Sequence, residues 1–245
     1  MEDKALLSTE EASGAEKAEL LIVIPAYNEA ENIERVVNHL TANFPQYDYV
    51  VVNDGSRDET AAICQRNGYN LLNLPVNLGL AGAFQAGLKY ADKYGYQYAV
   101  QLDGDGQHRP EYLESMIKKM EEGYDIVIGS RFVGEKKPFT MRMLGSNLIE
   151  LAICFTTGVN IKDPTSGMRM FSKRMIREFA SGLNYGPEPD TVSYLIRQGA
   201  RVAEVPVIMD ERILGVSYLT PVNAMRYMLK MLISILLIQN FRKRR

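Results

Sequence analysis

Cysteine and histidine are scarce in this chain, and their scarcity removes several kinds of chemistry at once. Cys64 and Cys154 are the only thiols among 245 residues, too few for a disulfide framework or a zinc knuckle. Both fall in helix-like apolar patterns and are expected to be small core residues in a reducing cytoplasm. The two histidines, His39 and His108, cannot build a multi-histidine metal site. His39 lies in a helical pattern, as a surface or boundary residue. Net charge is nearly absent as well: −2 at pH 7 gives no global reason to expect nucleic acid as a partner. No apolar segment follows a basic start, so a secretory signal is not expected. There is no internal repeat, and no low-complexity segment beyond the start of the chain. Residues 1–19 are rich in acidic and small side chains and read as a flexible tail, whereas the other end, "NFRKRR", is basic.

What is present is alternation. "LLIVIPAY", "YVVVNDGS", "YNLLNL", "YQYAVQL" and "YDIVIGSR" are short strand-like runs separated by helical patterns. In one of these Ile33, Val36, Val37, Leu40 and Phe44 share a face. A second helix is predicted from about Asp58, with Asp58 or Ser56 as its cap, a third over "LAGAFQAGLKYADKYG", and a fourth over "RPEYLESMIKKMEEG" with Pro110 in its first turn. Unbroken Val/Ile/Leu runs alternating with helices imply an α/β fold with a mainly parallel sheet buried on both faces. Ligands of such sheets bind beyond the carboxyl ends of the strands. The polar strings "PAYNE", "NDGSRD", "LDGDGQ" and "GSR" all fall at those ends. After Arg131 come an apolar helix, "MRMLGSNLIELAICFTTG", a loop running into a short strand, "DPTSGMRMFSKR", and a further strand, "ARVAEVPVIMDER". No linker separates them from the first half. One domain is therefore expected over 20–220, followed by a helix from Pro221 to the end.

Asp103 and Asp105 stand one residue apart at a strand end, each followed by glycine. Three chemistries use such a string. A calcium loop begun at Asp103 would place Glu114 at position 12, but its sixth position is His108 where glycine is needed. Pro110 falls inside that loop, and a strand precedes it where a helix belongs. An aspartyl-nucleophile phosphatase needs a partner lysine and a later acidic pair, and its motif opens the fold, whereas βα units precede the motif here. Sugar transfer fits best. Carboxylates suit Mg²⁺ or Mn²⁺, and such an ion stabilises charge on a leaving diphosphate as a Lewis acid. Carboxylates at i and i+2 of an extended segment point in similar directions. Gly104 and Gly106 let the backbone approach a ligand, and Gln107 offers a neutral third oxygen. The plainer reading, a cap for the helix at Pro110, accounts for Asp105 and not for Asp103.

Taken in order, "VIPAYNEAENI", "VVNDGSRDET", "NLGLAGAFQAG", "QLDGDGQHRPE", "GSRF", "DPTSGMRMF" and the "EVPVIMDER" segment resemble the inverting family 2 glycosyltransferases. Within them the chain is similar to the group of dolichol-phosphate mannose synthases and polyprenyl-phosphate glucosyltransferases, over residues 20 to about 220. The resemblance implies the GT-A fold, a Rossmann-like sheet with an acceptor-binding second half. It implies that Pro25, Tyr27 and Glu29 border the nucleoside and that Asp54 hydrogen-bonds the base, which a strand-end carboxylate can do. Taken alone, "NDG" would be a turn in any protein. Asp103, Asp105 and Gln107 match the metal and diphosphate site, with Gly104 between them. Arg131, Arg169 and Arg212 match basic residues near the acceptor phosphate and the donor diphosphate, where a guanidinium fork can hold phosphate oxygens. Asp163 and Ser166 are expected to shape the loop bearing Arg169. One departure is Tyr218 after Ser217, where relatives often carry lysine.

The acceptor is expected to be a polyprenyl phosphate, which is already ionised and needs no general base. A sugar hydroxyl would need one, and Glu188, Asp190 and Asp163 are the candidates for that alternative reading. A third reading is a catalytically idle nucleotide-sugar-binding partner. For the donor, a UDP-hexose is favoured over GDP-mannose. The segment "AMRYMLKMLISILLIQNFRKRR" carries Arg226 and Lys230 one turn apart, an apolar run from Met231 to Ile238 and a basic end. That run is far short of the roughly 20 residues that cross a bilayer. It suits a helix lying in a membrane interface on the cytoplasmic face, or alternatively one packed on the domain at a homo-oligomer contact.

Overall fold

The structure, a computed structural model, describes residues 19–135, 137–138, 140–181, 186, 188–210 and 221–241. The acidic tail, the segment 211–220 and the terminal basic cluster lie outside them. The central strand β1 (Leu20–Ala26) is buried along its whole length, as expected of a strand covered on both faces. Its side chains alternate. Leu21 and Val23 enter one apolar layer, while Leu20, Ile22 and Ile24 enter the other.

After β1 come α1 (Ile33–Asn43), β2 (Asp48–Asn53), α2 (Thr60–Arg66), β3 (Leu71–Asn73), α3 (Gly79–Tyr94) and β4 (Tyr98–Gln101). A second series follows: α4 (Leu113–Glu121), β5 (Ile126–Ser130), α5 (Met141–Thr157), β6 (Arg169–Ser172), α6 (Lys173–Ala180), α7 (Pro189–Arg197), β7 (Val202–Pro206) and α8 (Pro221–Leu236). The seven strands form one sheet in the order β3-β2-β1-β4-β6-β5-β7. All pairings are parallel except those of β6, which runs antiparallel to both β4 and β5. The carboxyl ends of β1, β2, β4, β5 and β7 therefore share one edge with the amino end of β6. The strand order turns back between β1 and β4, which opens the crevice where doubly wound sheets bind ligands.

Two layers clothe the sheet. Phe84 and Leu88 of α3, Ile153 of α5, Phe179 of α6 and Ile235 of α8 build the larger one. Ile33, Val37 and Leu40 of α1, with Met116 and Met120 of α4, build the smaller. Fully burying each such side chain is worth roughly 1.5–3 kcal/mol. α3 lies directly on β1: a Cβ at Gly87 would stand 2.3 Å from Val23 Cγ1. Cys64 is buried against α1, and burial pushes its thiol up to about 11; Cys154 is half-buried.

Two boundaries differ from the sequence expectation. α2 begins at Thr60, because the Asp58 carboxylate accepts from the Thr60 N–H (3.0 Å) just ahead of the helix. The terminal helix stops at Leu236 and gives way to a 3-10 turn over Ile238–Phe241. There Gln239 folds back toward Asp190 (3.3 Å) and Ser234 (3.4 Å). No helix among the described residues is long and apolar enough to cross a membrane.

Candidate active site

Beyond Gln101, the last residue of β4, the chain turns sharply and places Asp103 and Asp105 outside the sheet edge. The turn is closed by the Gly106 N–H, which donates to the Asp103 carbonyl (3.2 Å). Gly106 has φ 78°, and a Cβ there would lie 2.8 Å from the Arg35 guanidinium, so only glycine suits the position. Arg35 reaches across from α1 to donate to the Asp105 carbonyl (3.0 Å). Gly104 rests on the end of β1, its Cβ position 3.1 Å from the Pro25 carbonyl oxygen.

The two carboxylates are held differently. Asp103 donates its N–H to His108 Nδ1 (3.0 Å), and its Oδ1 accepts from Gln101 Nε2 (2.8 Å). Its Oδ2 lies 3.7 Å from His108 Nε2, and the side chain is 32% exposed. Asp105 is buried, with Oδ1 accepting from the Gln107 N–H (3.1 Å). The Gln107 side-chain amide donates to the Asp210 carbonyl (3.2 Å), and the Gln107 carbonyl accepts the Asp210 N–H (2.9 Å). Arg109 pairs with the Asp210 carboxylate and holds it below the usual carboxylate range. The aspartate loop is thus tied to the chain leaving β7.

On the other side of the crevice, Asp54 follows β2 and is buried. Its N–H donates to the Ala26 carbonyl (2.9 Å), and its Oδ1 accepts from the Leu78 N–H at the start of α3 (2.7 Å). The loop after β1 is clipped to the loop after β2. Glu29 N–H donates to Thr60 Oγ1 (2.9 Å) and Ala30 N–H to Asp58 Oδ2 (3.1 Å). Asn28, between Tyr27 and Glu29, takes the left-handed conformation at φ 56°, with its N–H donating to Ser56 Oγ (3.0 Å). Burial raises the Asp58 carboxyl, but the hydrogen bonds from Thr60 and Ala30 outweigh it and leave the group below its ordinary value.

Arg131 follows β5 and makes a two-pronged pair with fully buried Asp163, at 2.7 and 2.8 Å. Glu204 of β7 fixes that loop, accepting the N–H groups of Lys162 (2.7 Å) and Asp163 (2.8 Å). Arg169, the first residue of β6, reaches the same sheet edge but is buried in the domain. It donates to the Pro164 carbonyl (2.6 Å), and its Nε has no hydrogen-bond partner among the described residues. Burial lowers its pKa, opposed chiefly by the nearby carboxylate of Glu188 and also by those of Asp163 and Asp190. Glu188 and Asp190 are both engaged by α8: Tyr227 donates its hydroxyl to Glu188, and Ser234 donates to Asp190 Oδ2 (2.6 Å).

The residues expected at the site therefore divide. Pro25, Tyr27, Glu29, Asp54, Asp103, Gly104, Asp105 and Gln107 gather at the ends of β1, β2 and β4. Arg131 stands at the end of β5, Arg169 lies in the interior, and Arg212 falls outside the described residues. Gln101, His108, Arg35 and the Arg109–Asp210 pair escaped the sequence reading. His108 and Arg109 stand inside the quoted "QLDGDGQHRPE" string, but only the turn at Gly106 brings His108 back onto Asp103.

A mainly parallel sheet with paired carboxylates at its switch crevice defines a Rossmann-like nucleotide-binding domain of the GT-A type. The glycosyl transferase family 2 model matches residues 21–180, and the chain belongs to that family. It is 31% identical to the polyprenol monophosphomannose synthase of Mycolicibacterium smegmatis, over 86% of this chain and 84% of that one. It is 31% identical to the undecaprenyl-phosphate mannosyltransferase of Micrococcus luteus (81% and 86%). It is 30% identical to the UDP-N-acetylglucosamine–dolichyl-phosphate N-acetylglucosaminyltransferase of Methanococcus voltae (77% and 84%). Among solved structures, the fold is shared with glucosyl-3-phosphoglycerate synthase of Mycobacterium tuberculosis in complex with Mn²⁺, UDP and glucosyl-3-phosphoglycerate. That match has a TM-score of 0.61 at 18% identity, over 92% of this chain and 81% of that one. The fold is also shared with a mannosyltransferase of Pyrobaculum calidifontis in complex with GDP-Man and Mn²⁺ (TM-score 0.62, 16% identity, 94% and 66%).

Proposed function

We propose that the protein transfers one hexose, with inversion, from a nucleoside diphosphate sugar to a polyprenyl phosphate at the cytoplasmic face of a membrane. The observation that carries this is the pair Asp103 and Asp105 held at the crevice between β1 and β4, opposite Asp54. In this reading Asp54 and the loop Tyr27–Glu29 receive the nucleoside, and the aspartate turn receives the diphosphate. Asp103 and Asp105 fit Mg²⁺ or Mn²⁺. They are hard oxygen donors, and no group of three or more His, Cys, Asp or Glu side chains arranged to hold a metal ion by themselves is found among the described residues. That set suits an ion completed by phosphate oxygens and water and not a closed structural zinc site. When bound, the ion supplies charge stabilisation to the departing diphosphate.

The acceptor side supports a phosphate over a hydroxyl. A hydroxyl needs a general base within hydrogen-bond reach, and the carboxylates of Glu188 and Asp190 are occupied by α8, that of Asp163 by Arg131. A phosphate dianion needs none. Arg131, and Arg212 by its place in the sequence, are the cations we assign to the phosphates. The relatives' names weigh the donor toward mannose in two cases and toward UDP-N-acetylglucosamine in one, so GDP-mannose stands beside the UDP-hexoses as a donor. The test is direct. The protein is incubated with phospholipid, polyprenyl phosphate, Mg²⁺ or Mn²⁺ and a panel of nucleotide sugars. A glycolipid forms with one donor; no glycolipid with any donor sinks the proposal.

A further inference from the structure

The charged side chains around Arg131 form a closed circuit. Arg131 holds Asp163 at 2.7 and 2.8 Å. The backbone N–H groups of Lys162 and Asp163 donate to the two carboxylate oxygens of Glu204 on β7 (2.7 and 2.8 Å). The Lys162 ammonium donates to Glu150 Oε1 on α5 (3.0 Å), and the other oxygen of Glu150 accepts from Lys137 (2.7 Å). Lys137 Nζ then stands 5.5 Å from the centre of the Phe132 ring, and the Arg131 guanidinium stands 5.2 Å from the same ring. The circuit so returns to its start, after passing through the end of β5, α5, the loop before β6, and β7.

Lys137 is the member that a merely structural account leaves over. Its side chain is 11% exposed, although a lysine stem is long enough to carry its ammonium into water. Glu150, the only acidic residue of α5, is already tied to the sheet edge by Lys162, whose side chain is 49% exposed. Lys137 adds to that tie a contact with Phe132. Two cations against one phenyl ring repel each other, and the pairing persists because each has a carboxylate of its own, Asp163 for Arg131 and Glu150 for Lys137. Asp163 engages only Nε and Nη2 of the guanidinium, so it fixes one edge of the fork and leaves the plane free to rock about that edge. The Phe132 ring, braced by Lys137, limits the rocking. Arg131, Lys137 and Lys162 are balanced by Glu150, Asp163 and Glu204, so within the circuit no surplus charge is left to draw in an anion. What it can offer a phosphate is directed N–H groups.

We infer that Lys137 and Glu150 are positioning residues for Arg131, and that through Phe132 they set the angle at which its remaining N–H groups meet the acceptor phosphate. The inference rests on Arg131 serving that phosphate, as proposed above, and one arm of its test needs no substrate. The Nε–H of Arg131, donated to buried Asp163, is followed by proton–nitrogen NMR on the full-length protein and identified by its loss in Arg131→Lys. In Lys137→Met and in Glu150→Gln its exchange with water is expected to quicken about tenfold, the equivalent of roughly 1.4 kcal/mol. In Lys137→Arg, which keeps a cation against the Phe132 ring and a partner for Glu150, it is expected to stay slow.

The second arm is kinetic. With a short-chain, water-soluble polyprenyl phosphate, Lys137→Met and Glu150→Gln are expected to raise the acceptor KM about tenfold and to leave the donor KM where it was, and Lys137→Arg to restore the acceptor KM. A role confined to tying α5 to the sheet would lower the thermal unfolding temperature and move neither the exchange rate nor the acceptor KM. That result would overturn the inference, as would an acceptor KM that stays put in both variants while exchange quickens. Quickened exchange in a protein that transfers no sugar from any donor would refute the proposed reaction and leave Lys137 and Glu150 as the residues that orient Arg131.

Discussion

His108 offers the sharpest test of how the aspartate loop is held. It is buried, and its Nδ1 accepts the N–H of Asp103 at 3.0 Å. On the opposite side Gly167 crowds both residues: a Cβ there would stand 3.1 Å from His108 Cε1 and 3.2 Å from Asp103 Oδ2. On that side there is no room for a side chain larger than glycine. In His108→Ala the Asp103 amide loses its acceptor in a buried place, which costs about 1–3 kcal/mol, and the vacated ring adds a cavity cost. A domain of this size tolerates that, since folding free energies run to roughly 5–15 kcal/mol. In His108→Asn the shorter side chain keeps an acceptor near the place of Nδ1, and the amide is satisfied again.

The assay has two arms. Urea unfolding reads stability, and the metal concentration giving half-maximal sugar transfer reads the aspartate geometry. His108→Ala should lower the urea midpoint and raise the metal requirement by about tenfold or more, the equivalent of at least 1.4 kcal/mol of lost pre-organisation. His108→Asn should recover most of both. If His108→Ala loses stability while its metal requirement and maximal rate stay those of the wild type, the histidine is core packing only. His108 then does not position Asp103 for the metal.

Two further outcomes follow from the same geometry. Asp163→Asn should destabilise the protein by about 3 kcal/mol, the low end for breaking a buried pair, because Arg131 is itself 24% exposed; a lower urea midpoint at unchanged slope would show it. Asp58 titrates below its ordinary 3.8 in the folded protein, so its contribution is present above that value and is lost as pH falls through the lower, folded one. Asp58→Asn should flatten stability against pH in that acid window by less than about 1 kcal/mol, since the group is exposed and screened, and an equal slope in both proteins would contradict the clip.

The parallel half of the sheet was legible because each of its strands is an apolar run buried on both faces, and each run ends in a polar string. β6 was harder: "RMFS" is four residues long, and nothing in its pattern shows that it enters between β4 and β5 in the opposite direction. That insertion has a consequence for Arg169. As the first residue of an antiparallel strand it lands at the same edge as the ends of its neighbours, but the chain enters from the loop side and turns the guanidinium inward to Pro164. The aspartate loop was legible as a pair of carboxylates, and its supports were not. Gln101, His108 and Arg35 act through the turn at Gly106, and Asp210 through a contact with Gln107 and Arg109 about a hundred residues earlier. Sequence spacing carries no trace of such contacts.

Glu188 and Asp190 show how the second half of the chain is organised around charge. On the sequence alone they are the natural bases for a hydroxyl acceptor. In the fold Glu188 is shared between Tyr227 of α8 and the field of Arg169, and Asp190, in the first turn of α7, accepts the N–H of Thr191 (2.8 Å) and the hydroxyl of Ser234. An arginine in the interior keeps its charge only where carboxylates compensate it, and these two carboxylates are fixed by the helix that carries the apolar outer face. α8 is thus joined to the core by polar contacts at one end of the sheet while it offers Leu229 and Ile233 to the outside. A helix needed only to finish the core would have no reason to bury Tyr227 against a carboxylate and leave leucines exposed.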